Sequence, residues 1–341
     1  MNPYRPPTMK DVARRCGVAE STVSRVLSGT KFVAPATRAT VERVMQELNF
    51  HRDSHASRLA SGRSNFLGLV ISDIENPFYP GLIKSFETAA LASGFEVLLA
   101  TTNYDPARTE QAFRKMLENK TPAVAVMTSR VDTSMAERLA ESGVVSVFLD
   151  SEGPGPRKSN IRLDYAQGAS EAVRYLHTLG HRRFALIAGP QDRPSHAAYR
   201  QSLELALKEL DLKLHVIEGK NDAASGAEAA KRLLTLANPP TAVLCSNDVT
   251  ALGAIRSFFG CGLQVPGDVS VVGADNIPFA TLSHPPLTTV SIPRERLGTV
   301  AFELLKEMLA KPRRTGTESI LPTDLVIRES TGPVSRPSRR T

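Results

Sequence analysis

The residues with the clearest chemistry lie in a short stretch, Glu20 to Leu27. Glu20, Ser21, Thr22 and Arg25 are polar, and Val23, Val26 and Leu27 fall on the opposite stripe of a helix. Carboxylate, hydroxyl and guanidinium groups near a helix N-terminus can hydrogen-bond the base edges of a DNA major groove. A second set lies at the ends of apolar runs: Ser72-Asp73, Asp150, Asn247-Asp248 and Asp275-Asn276. Such groups can act as general acids and bases, and they serve equally as acceptors for sugar hydroxyls.

The elements that must position the first set are helical. Thr8 is a natural N-cap, and Asp11 stands where a capping-box carboxylate belongs. Val12 and Ala13 are apolar, and Arg14 and Arg15 face out. Gly17 can take the left-handed backbone of a tight turn. The whole reads as a helix-turn-helix, although an ordinary helical hairpin has the same pattern. Pro35 opens a third helix, with Val41, Val44, Met45 and Leu48 at helical spacing. Residues 1–65 carry eleven basic and five acidic side chains, nearly all of the chain's formal +7. Charge concentrated in a small helical unit suits a phosphate backbone. The polar stretch HRDSHASRLASGRSN follows. It is either a plain linker or a short helix presenting Ala56 and Leu59 as an apolar wedge among arginines, for a minor groove.

The second set is positioned by an α/β pattern. Eight strand-like runs occur in two sets of four, from FLGLVIS to VVSVFLD and from RFALIAG to VSVVGAD, separated by helical segments. Continuous Val/Leu/Ile strands between helices imply parallel sheets covered on both faces. Two sets imply two lobes, and ligands in such sheets bind beyond the strands' carboxyl ends.

Composition narrows the function. The 341 residues suffice for several cores. No apolar run is long enough to span a bilayer. The N-terminal MNPYRPPTMK lacks the apolar stretch of a signal peptide, so a cytoplasmic protein is expected. Three cysteines and seven histidines show no metal-ligand spacing. No phosphate-binding glycine loop, nucleophile elbow or zinc motif is present. No catalytic residue, metal or cofactor is therefore expected. A periplasmic solute receptor would need a leader and no basic headpiece. An enzyme using Asp150 or Asp275 as acid or base would need a nucleophile or metal constellation beside it.

The chain resembles the LacI/GalR family of bacterial transcriptional regulators over about residues 8–330. The resemblance is carried by TMKDVARRCGVAESTVSRVLSG, Ala56-Ser57-Arg58-Leu59, LGLVISDIENPFY, LGHRRFALIAGP, CSNDVTALGAI, VSVVGAD and PPLTTVSIP. It implies an N-terminal all-α helix-turn-helix headpiece plus an α/β core of two Rossmann-like lobes, similar to type I periplasmic binding proteins. The expected division is headpiece 1–51, hinge 52–65, two-lobed core 66–330 and disordered tail 331–341. The resemblance implies a homodimer on double-stranded operator DNA, most simply a repressor, with a small-molecule effector, a sugar or sugar derivative, between the lobes. A corepressor-dependent repressor, or an activator responding to a non-sugar metabolite, stays open. Thr22, Ser24 and Arg25 match frequent DNA-contacting positions, and Glu20 and Ser21 fall where base preference varies. Thr8 is counted with this DNA-facing set. Leu59 matches an intercalating leucine, with Ala56 beside it. Ser72, Phe78, Tyr79, Asp150, Arg200, Asn247 and Asp275 match effector positions, one of Phe78 and Tyr79 being expected to pack rather than to contact. Dimerisation is expected through helices such as the one in ENPFYPGLIKSFETAALA. The chain departs from the family in having Ala19 where serine is usual, Arg52-Asp53 at the start of the hinge, and Asn276 after Asp275.

Overall fold

Side-chain spacing and local capping account for the first three helices. In a computed structural model, which describes residues 7–27, 32–50, 64–128, 133–311 and 315–334, α1 is Met9–Cys16, α2 Glu20–Leu27 and α3 Pro35–Glu47. The capping box at α1 is complete. Thr8 Oγ1 accepts from the Asp11 amide at 3.3 Å, and the Thr8 amide donates to Asp11 Oδ2 at 2.9 Å. Gly17 ends the helix at φ 69°, where a side chain would be strained. Ala19 has no side-chain acceptor for the next helix start, but its carbonyl accepts from Thr22 and Val23. Val12, Ala13, Val23, Val26, Val41 and Val44 form the small core of this unit. Ala56 and Leu59, with most of the expected hinge, lie outside the described residues.

The second unit, Asn65–Thr341, contains two six-stranded sheets. The first lobe runs β1 (Phe66–Ile71), α4 (Tyr79–Ala92), β2 (Glu96–Thr101), α5 (Pro106–Glu118), β3 (Ala123–Met127), α6 (Thr133–Glu141), β4 (Val145–Leu149) and β5 (Lys158–Asp164). The second runs α7 (Tyr165–Thr178), β6 (Phe184–Ala188), α8 (Pro194–Lys208), β7 (Leu214–Glu218), α9 (Ala223–Leu234), β8 (Ala242–Cys245), α10 (Asp248–Gly260), β9 (Ser270–Ala274), α11 (Pro278–Leu282) and β10 (Thr288–Ser291). Then α12 (Arg294–Ala310) and β11 (Glu318–Pro322) return to the first lobe, and β12 (Asp324–Val326) closes the second.

The strand orders are β11-β5-β4-β3-β1-β2 and β12-β10-β9-β8-β6-β7. Every pairing is parallel except β10 with β12. All eight expected strands are present. The two extra strands per sheet are short or carry polar residues, as in KSNIRLD and TTVS, so an unbroken apolar run does not reveal them. The chain crosses between lobes at Asp164–Tyr165, Ser291–Arg294 and Pro322–Asp324.

One boundary needs correction. The tail expected to be disordered from residue 331 is held at its start. Thr331 is buried and bonds Thr288 Oγ1 at 2.9 Å, the Gly332 amide donates to Ser270 Oγ, and the Val334 amide donates to the Leu179 carbonyl. Polar, Pro-rich composition suggested disorder, but these hydroxyl and backbone groups are matched by the end of the second lobe. Residues 335–341 lie outside the described residues.

Candidate functional site

The surface of α2 offers one site. Glu20, Ser21, Ser24 and Arg25 are exposed, Thr22 is half-buried, and Val23 and Val26 face inward. The burial pattern therefore divides the helix as its apolar spacing predicted. Thr8 is in a different position from the other five. Its hydroxyl is engaged with Asp11, 2.6 Å from Oδ2, and it holds the start of α1.

The second site is a cleft of about 450 Å³ between the two lobes, within the range of small-molecule pockets. Parallel strands bring their C-terminal residues to it. Asp150 follows β4, Asn247 lies between β8 and α10, and Asp275 follows β9, and all three line the cleft. Asp150 and Asp275 have positive φ, 49° and 106°, which non-glycine residues seldom adopt.

The three groups have different partners. Asp150 Oδ1 accepts from the Leu163 amide and Oδ2 from the Tyr165 hydroxyl, each at 2.9 Å. Burial pushes its carboxyl up to about 6 despite these bonds. Asn247 is the N-cap of α10, accepting from the Thr250 amide at 2.8 Å and donating to the Asn221 carbonyl at 3.2 Å. Asp275 is raised well above the usual carboxylate range by burial and by the neighbouring Asp248, with Arg294 opposing. Asp248 itself sits behind the cleft, where its carboxylate accepts from the Ile277 amide and the Thr289 hydroxyl.

Phe78 and Tyr79 both line the cleft and meet edge-to-face, ring centroids 5.2 Å apart. Each is more than nine-tenths buried, so packing and cleft lining are combined in the pair.

Two expected effector positions are placed elsewhere. Ser72 is fully buried behind the wall, with its hydroxyl 2.8 Å from that of Thr128, and does not line the cleft. Arg200 also lies off the lining. Each helical residue turns about 100°, so α8 aims Tyr199 inward and Arg200 away. The Arg200 Nε donates to Glu204 Oε1 at 2.8 Å, one turn along. The arginine that does line the cleft is Arg193, at the N-cap of α8, with its guanidinium 3.5 Å from the Tyr104 ring centroid. Asn276 is likewise turned off the lining, donating to Ser291 and accepting from Arg328.

Tyr104, Arg193, His196, Tyr199 and Asn221 were not singled out from sequence. Four of them lie on loops or helix starts after strands, where alternation gives no signal, and Tyr199 lies inside α8. The usable hint was positional for Tyr104, Arg193 and Asn221, each of which follows the end of a recognisable strand by a few residues. Among the described residues no group of acidic, histidine or cysteine side chains could hold a metal ion, and no helix is long and apolar enough to cross a membrane.

Comparison with known proteins agrees with this architecture. Residues 8–53 match the model for bacterial regulatory proteins of the lacI family, and residues 173–331 match a periplasmic binding protein-like domain. The HTH-type transcriptional regulator DegA of Bacillus subtilis (strain 168) is 33% identical over 335 residues, covering 96% of this chain and 99% of DegA. The lac repressor dimer bound to operator and the anti-inducer ONPF superposes with a TM-score of 0.87 at 28% identity, covering 96% of this chain and 100% of that one. The regulator CelR in complex with cellobiose has a TM-score of 0.72 at 31% identity, with coverage of 95% and 99%. With a helix-turn-helix unit at its N-terminus and a two-lobed cleft in its core, this chain belongs to the lacI family of bacterial regulatory proteins and is a DNA-binding transcriptional regulator.

Proposed function

We propose that the protein is a cytoplasmic, homodimeric repressor whose operator affinity is set by a small uncharged carbohydrate bound between the lobes. The observation that carries this reading is the convergence of Asp150, Asn247 and Asp275 on one cleft that Phe78 and Tyr79 also line. Carboxyl and amide groups beside aromatic rings suit a ligand with hydroxyls at its edge and C–H groups on its face. The cellobiose bound by CelR supports the same class.

On DNA, the exposed side chains of Glu20, Ser21, Ser24 and Arg25 would read base edges, with Thr22 beside them. Thr8 would act by fixing α1. Ala56 and Leu59 keep the proposed role of a minor-groove wedge. A ligand shifts operator affinity only through its differential affinity for the two lobe arrangements. The apolar stripe of α4 packs within its own lobe, with Phe86 edge-to-face on Phe302. A second copy would therefore meet its outer face, near the exposed Leu91, and the exposed Phe279 and Leu282 of α11.

The test is a thermal-shift screen of sugars on the full chain, followed by operator binding with and without any stabilising compound. A ligand that binds should raise the melting temperature by mass action and change operator affinity. A compound that stabilises the protein and leaves operator affinity unchanged would remove the regulatory claim. A monomer in sedimentation at working concentrations would remove the dimer.

A further inference from the structure

Tyr199 projects from α8 into the cleft, is 4% exposed, and its hydroxyl has no hydrogen-bond partner among the described residues. Buried hydroxyls are normally matched, so an orphan in a cavity wall points to something that arrives there. Its neighbour provides the contrast. The Tyr165 ring lies 6.3 Å from that of Tyr199, and its hydroxyl is satisfied by Asp150. The other orphaned hydroxyls, Thr250 and Ser257, lie on α10 away from the cleft lining.

The surroundings fix what Tyr199 can offer. Burial raises its hydroxyl above the usual tyrosine range, and Cys245, Asp248 and Asp275 add to the shift, so it remains a proton donor. Asp275 lines the same cleft and makes no side-chain hydrogen bond to a described residue. His196 is held neutral by burial, its value lowered to about 4, and its Nδ1 lies 3.2 Å from the Pro190 carbonyl. A carbonyl only accepts, so Nδ1 carries the proton and Nε2 is left an acceptor. The Arg193 guanidinium already faces the Tyr104 ring. The part of the cleft around Tyr199 thus combines a neutral donor with a buried carboxyl and a neutral imidazole. An anionic group placed there would lose its hydration in a buried site whose nearby groups, a hydroxyl, a protonated carboxyl and a neutral imidazole, carry no positive charge.

Resting on the effector reading of the cleft, we propose that Tyr199 is a specificity-determining contact, its hydroxyl donating to a hydroxyl or carbonyl oxygen of an uncharged ligand. Phosphorylated or carboxylated relatives of that ligand are selected against by the cost of stripping water from a charge in this buried part of the cleft.

The experiment uses full-length protein and the variant Tyr199→Phe, which removes one oxygen and keeps the ring. Without ligand, the variant should be at least as stable in urea as the parent, because an unmatched buried hydroxyl is lost. Glucose, ribose and cellobiose are then titrated, each beside a phosphate ester of the same sugar, with thermal shift and calorimetry as readouts. At least one neutral sugar should bind the parent and lose tenfold or more in affinity to Tyr199→Phe, and its phosphate ester should bind the parent more weakly. Equal binding of a neutral sugar by parent and variant would overturn the role of Tyr199 and leave the effector reading standing. Preference for the esters would overturn the ligand class. Lower stability of the variant without ligand would show that the hydroxyl has a protein partner and is no orphan. Silence of the parent towards the whole series would overturn this inference together with the carbohydrate reading.

Discussion

The guanidinium of Arg193 stacks on the ring of Tyr104, 3.5 Å from its centroid, and so joins the second lobe to the first at the cleft. Tyr104 is presented by an unusual backbone: it and Asn103 have φ values of 60° and 48°, and the Asn103 amide is tied to the Ser72 carbonyl. Two successive left-handed non-glycine residues cost energy that the surrounding contacts must offset. A double-mutant cycle of Arg193→Ala and Tyr104→Ala, read by urea unfolding, should give a coupling of about 0.5–2 kcal/mol. Tyr104→Phe keeps the ring and should retain most of it. A coupling near zero would show that the stack does not fasten the lobes.

Asp248 leads to a pH prediction. Burial lifts its carboxyl to about 7 even though Thr289 and Ile277 donate to it. The folded state therefore keeps a proton that the unfolded chain gives up near pH 4. The group's contribution is most favourable below pH 4 and is lost as pH rises towards 7. Asp248→Asn preserves an acceptor for the Ile277 amide and removes the titration. The stability of the variant relative to the parent should rise between pH 4 and 7, by at most roughly 4 kcal/mol. A pH-independent difference would place the ordinary carboxylate value back on Asp248.

Fold class, headpiece helices and eight strands were legible because each rests on a local period: apolar spacing in α1 to α3, and apolar runs in β1 to β4 and β6 to β9. Asp150, Asn247 and Asp275 were legible for the same reason, as polar residues ending such runs. Arg200 was misplaced because a one-residue step around a helix reverses its direction, and only packing shows that Tyr199 faces in. The partners of Ser72 and Tyr104 come from segments distant in sequence, Thr128 and Arg193, which no local pattern records.

In the second lobe α9 and α10 pack closely at two glycines. A Cβ added to Gly253 would stand 2.0 Å from the Ala223 carbonyl oxygen, and one added to Gly226 would stand 2.2 Å from that of Thr250. Both obstacles are backbone and cannot swing aside. Gly253→Ala should destabilise the core by about 1–3 kcal/mol through overpacking, measured by urea unfolding of the full chain. Unchanged stability would mean that the helices separate without penalty.

Thr8 separates capping from DNA contact. Thr8→Ala removes the hydroxyl between the Asp11 amide and carboxylate and should lower headpiece stability by about 0.5–2 kcal/mol. Thr8→Ser keeps the cap and should restore it. If operator affinity falls only in Thr8→Ala and in step with headpiece melting, the threonine acts through α1. If Thr8→Ala leaves melting unchanged but weakens binding, its contact is with DNA.

Arg25 distinguishes base reading from simple attraction to phosphate. It stands on the exposed face of α2, one turn beyond Ser21 and Thr22, where a guanidinium can offer two parallel donors to a guanine edge. The basic headpiece as a whole attracts any duplex, and that part of the affinity falls with salt whatever the sequence. A base contact behaves differently, because its loss matters only where the correct base was present. Arg25→Ala should therefore weaken operator binding by about 1–3 kcal/mol, relax discrimination at one base pair in each half-site, and leave affinity for random duplex nearly unchanged. Competition binding against operators substituted singly at each position measures all three. A uniform loss across every sequence, with a shallower salt dependence, would assign Arg25 to the phosphate backbone and leave Glu20, Ser21 and Ser24 as the readers of sequence.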